Sequence, residues 1–306
     1  MRFHFSFIQH WKLWFVVSGL LVIIGIGGFF IRGLNYGIDF TGGTQFNLNF
    51  HHNVTATRIE NTLSGIHLSG STVIFLGKSR QNVLITTPNI SEGQRNQVLN
   101  QLSRQVGHFN EISTNRVSSI IGKETEQRAL IAVVIAMIAI VTYMAIRFEW
   151  RFALAGIAAM AHDVIITVGL IALIHIQLSE NFIMAVLTIF GYSITDKIIV
   201  FDRIRENLHS RNKDGTLPEL VNTSLNQVVV RSIYTSVTVL IALAALLVFA
   251  GSTIRDFSLT MFLGVVFGTY SSLFVASPIW MLWTQKQAPQ KKIKPRRRSV
   301  DLEPEP

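Results

Sequence analysis

Six stretches of this chain stay apolar for long enough to cross a lipid bilayer, and that settles its class. They are residues 13–31, 129–146, 152–174, 182–201, 228–250 and 257–283. About twenty helical residues at ~1.5 Å each traverse a hydrocarbon core of ~30 Å. Lipid offers the backbone no hydrogen-bond partners, so such runs cross as helices. Composition agrees: 49% of residues are hydrophobic and 15% charged, with a mean hydropathy of +0.40, against roughly 25% charged in soluble domains. The first run exceeds a signal-peptide core and has no convincing small-x-small cleavage site at its end, so it reads as a retained anchor.

The same runs fix how the charge is read. The formal net charge of +9 comes from Lys and Arg at helix ends and in the tail, which is not the basic face that a nucleic acid would need. Arg2 and Lys12 precede span one, Arg147 and Arg151 separate spans two and three, and Arg203, Arg205, Arg211 and Lys213 separate spans four and five. Lys286, Lys291, Lys292, Lys294 and Arg296 to Arg298 follow span six. Loops 175–181 and 251–256, on the other side, hold only Arg255. An excess of Lys and Arg marks the cytoplasmic side, so both termini are expected there. The tail at 286–306 reads first as a solvated topology anchor; contact with anionic lipid or another negative surface is the sharper alternative. With no cysteine, disulfides, thiol chemistry and cysteine-based metal centres are excluded.

The long polar stretch at 32–127 lies between spans one and two, on the outer side, and reads as a small domain. Residues 44–50 alternate, with Phe46, Leu48 and Phe50 on one face. Residues 55–65 form an amphipathic helix through Ile59 and Leu63. Residues 71–77 and 82–87 are rich in β formers and joined by a turn at 78–81. A capping box, Ser91 with Gln94 three residues on, opens a helix carrying Val98, Leu102 and Val106. Residues 109–117 form a closing strand. The order is βαββαβ, the ferredoxin-like pattern. The fold class is therefore an α-helical membrane protein of six spans with a small α+β ferredoxin-like outer domain. Its parts are 1–31 (terminus and first span), 32–127 (outer domain), 128–285 (five-helix region) and 286–306 (basic tail).

Chemistry points to the acids inside the spans. An ionisable group within the apolar region is costly and marks function by default. Asp196 lies about five residues, roughly 8 Å, from the inner end of span four. Burial disfavours a charged carboxyl and a neighbouring cation favours it, so a group balanced between the two can exchange protons. Arg231, about three residues or ~5 Å into span five, lies at similar depth; partnering Asp196 and snorkelling to the interface are both open to it. Asp163 is at least as deep in span three, after His162 and one turn before Thr167. His162 reads as a packed, hydrogen-bonded histidine rather than a metal ligand, because adjacent helical residues point ~100° apart. Lys197 points to a different face from Asp196; snorkelling inward and answering an acid on another subunit are both open.

Two segments flank these acids. Asp202, Arg203, Arg205, Glu206 and Asn207 form an interfacial helix end with i,i+3 and i,i+4 pairing, or a specific cytosolic contact. On the outer side, GIDFTGG at 37–43 places Asp39 and Phe40 before Gly42 and Gly43, two residues free to take positive φ in a tight hinge. No GxxxxGK[ST], HExxH or usable Ser-His-Asp order is present, so no covalent enzyme chemistry, cofactor or metal is implied.

GIDFTGG after the first span and GYSITDKIIVFDRIREN ending the fourth together resemble the SecF family of protein-export membrane subunits, in the SecD/SecF group of the resistance-nodulation-division superfamily. Arg231 in VVVRSIYTS and Asp163 in AHDV fit as well. The resemblance spans nearly the whole chain except the tail after Gln285. It implies half of a resistance-nodulation-division-type transporter in the bacterial inner membrane, with SecD supplying the other half. It implies work with the SecYEG channel, the SecA motor and YajC, in contact with membrane lipid and with unfolded preprotein on the periplasmic side. It implies use of the proton-motive force, or sodium, for late preprotein movement and release. Asp196, Arg231 and Asp163 match its ion-relay positions. Thr195 and Lys197 stand where an Asn and a small polar residue are expected. A SecD-like partner would then bury Asp196, Asp163 and Lys197 at the interface between halves. Two other readings compete: a small-molecule or lipid exporter of the same superfamily, and an assembly factor whose buried charges only lock helices together.

Overall fold

The structure is a computed structural model and describes residues 5–76, 79–210 and 216–287. The basic tail from Lys291 onward, Arg2, Arg211, Lys213 and Lys78 lie outside the described residues.

The chain opens with α1 (Trp11–Arg32), then a two-residue strand β1 (Asn35–Tyr36) and a single turn α2 (Ile38–Thr41). The α+β domain follows: β2 (Gly43–Phe50), α3 (Ala56–Ser64), β3 (Thr72–Phe75), β4 (Asn82–Thr87), α4 (Glu92–Gln105) and β5 (Phe109–Val117). Four long helices complete five spans: α5 (Ser119–Arg147), α6 (Trp150–Ile174), α7 (Glu180–His209) and α8 (Leu217–Phe249), with a short β6 (Gln177–Leu178) between α6 and α7. The sixth span is α9 (Ser252–Ser271), a π-turn (Ser272–Ala276) and α10 (Ser277–Gln287). Among the described residues, six helices are thus long and apolar enough to cross a membrane, in the order expected.

The sheet order is β3-β4-β2-β5, antiparallel throughout, as the βαββαβ pattern requires. Phe46, Leu48 and Phe50 of β2 turn to the core beneath α3 and α4, where Ile59, Leu63, Val98 and Leu102 meet them, all nearly inaccessible. The capping box forms: the Ser91 hydroxyl accepts from Gln94 N, and the Gln94 carboxamide accepts from Ser91 N at 2.9 Å. The other sheet face carries Gln45, Asn47, Ser113 and Asn115. It closes a polar cleft against Gln177, Ser179 and Asn181 at the top of the bundle.

Two elements differ from the sequence-based boundaries. α5 begins at Ser119, capped by the Ser118 hydroxyl, so the charged stretch through Arg128 is helical and continuous with the second span. The Arg128–Glu124 pair one turn apart supports it. The β1–β6 ladder was not anticipated, because two residues on each side carry no periodicity.

Within the bundle, half or more of the residues in the most apolar stretch of α7 and of the α9–α10 span are buried, and slightly fewer in α6; α1, α5 and α8 bury far fewer. α6, α7 and α9 therefore form the centre. α1 reaches α6 through glycines: a Cβ on Gly169 would overlap the backbone of Gly25, and one on Gly28 would sit 2.6 Å from the Gly169 carbonyl. Gly264 and Gly268, the small-xxx-small pair, face Ile189 and Ser193 of α7. Small residues of this kind let transmembrane backbones approach closely.

Candidate functional site

The buried stripe of α7 runs Ala185, Ile189, Ser193, Lys197, Phe201 and Ile204, a 3.6-residue period that leaves Lys197 at its centre. Its ammonium is fully enclosed and lies 2.8 Å from Asp163 Oδ2. Lys197 therefore neither snorkels nor waits for another subunit; its partner is on α6 of the same chain. Ser193 Oγ and Ser271 Oγ also donate to Asp163 Oδ2, at 2.7 and 2.8 Å. The other carboxylate oxygen meets His162 Nδ1 at 3.0 Å. His162 is packed and hydrogen-bonded, and its ring stacks near Tyr270 at 6.4 Å. Its Nε2 and the hydroxyl of Thr167 are buried without partners.

Asp196, one residue earlier, turns ~100° away from this cluster. It is 4% exposed, and its Oδ2 has no hydrogen-bond partner. The Thr269 hydroxyl of α9 faces it. Around it runs a chain of hydroxyls: Tyr192, one turn before on α7, donates to Ser236 of α8 at 3.1 Å, and Ser236 is 2.6 Å from Thr269. A buried carboxylate with one unsatisfied oxygen is costly.

Arg231 does not join it. The buried stripe of α8 is Leu225, Val228, Ser232 and Ser236. Arg231 lies one position off that stripe and is exposed. Among the described residues no ion pair links it to Asp196. The expected shared site is thus two pockets: Asp163 with Lys197 between α6, α7 and α9, and Asp196 among hydroxyls between α7, α8 and α9. The expectation that a second half is needed to bury Asp163, Asp196 and Lys197 is also corrected, since these six helices enclose all three. Residue type alone marked both acids. The role of Ser193, Ser236, Thr269 and Ser271 was hidden, because a Ser or Thr in a span is ordinary and only the packing brings these together.

The GIDFTGG segment is a packed joint. Gly42 and Gly43 adopt φ of +71° and +143°, a region that side chains disfavour. A Cβ on Gly42 would lie 2.7 Å from the Ser119 backbone, and one on Gly43 2.6 Å from the Thr87 carbonyl. Phe40 is buried beside Met160 of α6 and Phe182, Val186 and Phe190 of α7. Asp39 Oδ2 accepts from Glu180 N at 3.2 Å and so caps the first turn of α7, where a carboxylate is favoured by free N–H groups and the helix dipole. Gly37 N donates to Leu178 O at 2.7 Å, and Gln45 bonds Gln177 at 2.9 Å. The base of the α+β domain is therefore fastened to the end of the helix that carries Asp196 and Lys197.

At the opposite end of α7, Arg203 pairs with Glu206 at 2.6 Å, the i,i+3 contact expected. The remaining contacts reach other helices. Arg203 Nε and Asn207 Nδ2 donate to Gln227 of α8 at 2.6 and 2.8 Å, and Asn207 also bonds Ser224. Asp202 lies 3.5 Å from Arg147, and Arg205 donates to the Arg147 carbonyl at 3.2 Å. The motif ties α7 to the end of α5 and the start of α8.

Comparison with known proteins agrees with this architecture. The family description "Protein export membrane protein SecD/SecF, C-terminal" matches residues 97–286, and "SecD/SecF GG Motif" matches residues 27–54. The chain is 36% identical over 297 residues to the protein translocase subunit SecF of Sebaldella termitidis, covering 95% of this chain and 96% of that one. It is 39% identical over 288 residues to SecF of Acidaminococcus fermentans, covering 92% and 98%. The crystal structure of SecDF, a translocon-associated membrane protein from Thermus thermophilus, superposes with a TM-score of 0.85 at 35% identity, over 92% of this chain and 39% of that longer chain. A second SecDF crystal structure, in a super-membrane-facing form, gives a TM-score of 0.68 at the same identity, over 94% of this chain. With matches this long, the α+β domain, the six spans and both motifs have one explanation: the chain belongs to the SecF family of protein translocase subunits, within the SecD/SecF export membrane proteins.

Proposed function

We propose that this translocase subunit is the SecF half of a proton-driven SecD–SecF pair in the bacterial inner membrane. In this reading the α+β domain is periplasmic and both termini are cytoplasmic. The pair assists the SecYEG channel and the SecA motor by promoting late movement and release of preproteins. The observation that carries the reading is Asp196: a carboxylate with an orphaned oxygen in a hydroxyl-lined seam, on a helix whose far end is capped by Asp39 of the joint beneath the α+β domain. Loading Asp196 with a proton removes a buried charge, relaxes the seam between α7, α8 and α9, and so shifts the end of α7 on which the domain rests. Moving one charge across 100 mV supplies about 2.3 kcal/mol, enough to bias a domain swing more than tenfold.

Arg231, exposed on α8, is offered to the SecD half rather than to Asp196 of its own chain. Asp163, neutralised by Lys197, is a positioning residue. Gly42 and Gly43 are the pivot.

The test is Asp196→Asn in inside-out vesicles containing the export machinery. Late preprotein movement is followed with ATP supplied, with and without a proton gradient, alongside recovery of the SecD–SecF complex. A normally assembled complex that loses gradient stimulation is the expected result. Stimulation that persists overturns the role of Asp196, and loss of the complex itself makes the charge a structural lock.

A further inference from the structure

The surroundings of Lys197 resemble an ion-coordination shell more than a simple salt bridge. Its Nζ lies 2.8 Å from Asp163 Oδ2, 3.0 Å from Ser271 Oγ, 2.5 Å from Ser193 Oγ and 3.5 Å from the Ser193 carbonyl. All four residues are 0% exposed. One carboxylate, two hydroxyls and one main-chain carbonyl are hard oxygen donors of the kind that hold alkali cations. They come from three helices, α6, α7 and α9.

The backbone is adapted at the same place. The π-turn Ser272–Ala276 begins immediately after Ser271. Such a turn fits one extra residue into a helix and recurs at functional sites. The hydroxyls of Ser271 and Ser272 turn back to the Gly268 carbonyl, at 3.2 and 2.7 Å.

We infer that this pocket is a monovalent-cation site whose occupant is the chain's own ammonium, and that Lys197 is the residue that keeps free sodium away from Asp163. The tethered ammonium carries the same single positive charge and fills the same oxygen cage, and the covalent chain holds it there at a high effective concentration. Asp163 is thereby permanently compensated, and Asp196 is left as the carboxylate open to exchange. That last step rests on the proposed role of Asp196; the cation site does not.

The site is tested by binding, without transport. The full chain and Lys197→Ser are purified in detergent, and thermal unfolding is followed as NaCl or LiCl replaces choline chloride at constant ionic strength. The wild type is expected to be indifferent to the exchange. Lys197→Ser is expected to gain about 3–5 °C, saturably, with the small cations. Asp163→Asn added to Lys197→Ser is expected to abolish that gain. A Lys197→Ser protein that does not respond, or that is not recovered even in high NaCl, overturns the inference. So does a wild type that responds equally, or a response that survives loss of the Asp163 carboxylate. Because no measurement involves the proton gradient, failure here is separate from failure of the Asp196 assignment.

Discussion

Asp196 and Lys197 are adjacent in the chain and have opposite fates, and the difference is one helical step. Lys197 falls on the buried stripe and finds Asp163; Asp196 falls beside it and keeps an orphaned oxygen. Breaking a fully buried pair leaves an uncompensated charge, which costs about 3–5 kcal/mol, whereas removing both charges can be nearly neutral. Lys197→Met is therefore expected to lower the unfolding temperature sharply, and Asp163→Asn/Lys197→Met to recover most of the loss. Equal damage in the single and double variants would show that the pair contributes no coupling energy. A second residue-scale expectation concerns Glu111 in β5. The Thr114 hydroxyl beside it holds its carboxyl below the ordinary value of 4.5, against the opposing effect of burial and with further help from Arg95 at 2.6 Å. The folded state binds this proton less readily than the unfolded chain. The contribution is thus fully present above pH 4.5 and is lost as pH falls through the depressed folded value. Protection factors of β5 amides, corrected for the intrinsic exchange rate, should fall over that acid window, and Glu111→Gln should flatten the step.

Among the elements, the α1–α6 seam makes the sharpest claim. Gly25, Gly28 and Gly169 bring the two backbones together, so a side chain at Gly169 must push α1 off the bundle. Overpacking of this kind costs about 1–3 kcal/mol. Gly169→Leu is expected to unfold at lower temperature than wild type, while Gly27→Leu, on the open side of α1 with nothing within 4 Å, should be indistinguishable from it. Similar midpoints for the two would mean that the helices do not meet at this crossing. The legibility of the elements follows the same physics. All six spans and the βαββαβ order stand in the sequence, because apolar runs and the alternation of Phe46, Leu48 and Phe50 are local patterns. The start of α5 is not legible because Lys123, Glu124, Glu126 and Arg128 interrupt the apolar run and the helix opens on a Ser118 cap. The π-turn was missed because nothing in SLFVA distinguishes it from α-helix.

For the whole molecule, the polar cleft between the open sheet face and the α6–α7 loop is where the proposed swing of the α+β domain would open. Gln45 and Gln177 touch across it. The natural chain has no cysteine, so Gln45→Cys/Gln177→Cys can be bridged by a short thiol cross-linker without side reactions. The bridged pair is expected to lose gradient-stimulated translocation and to regain it on cleavage of the linker. Full stimulation in the bridged state would exclude a swing about Gly42 and Gly43. Orientation is open to a direct check with the same advantage. A membrane-impermeant maleimide applied to intact spheroplasts should label Ser79→Cys in the α+β domain and spare Ser210→Cys at the end of α7; the reverse pattern would invert the proposed topology.

The sequence by itself determined the class, the six spans, the domain between the first two and the acids worth suspecting. Those depend on local properties: hydropathy over about twenty residues, alternation over six, and the cost of a charge in an apolar run. Only the tertiary structure decided which acid is compensated. Residue type makes Asp163 and Asp196 equivalent, and depth alone leaves Arg231 open both to partnering Asp196 and to snorkelling. The rotation of α7 and α8 about their own axes sends Lys197 to Asp163, leaves Arg231 on the outer face, and surrounds Asp196 with hydroxyls from three helices. That rotation is fixed by packing among helices distant in sequence, and no short stretch of the chain carries it.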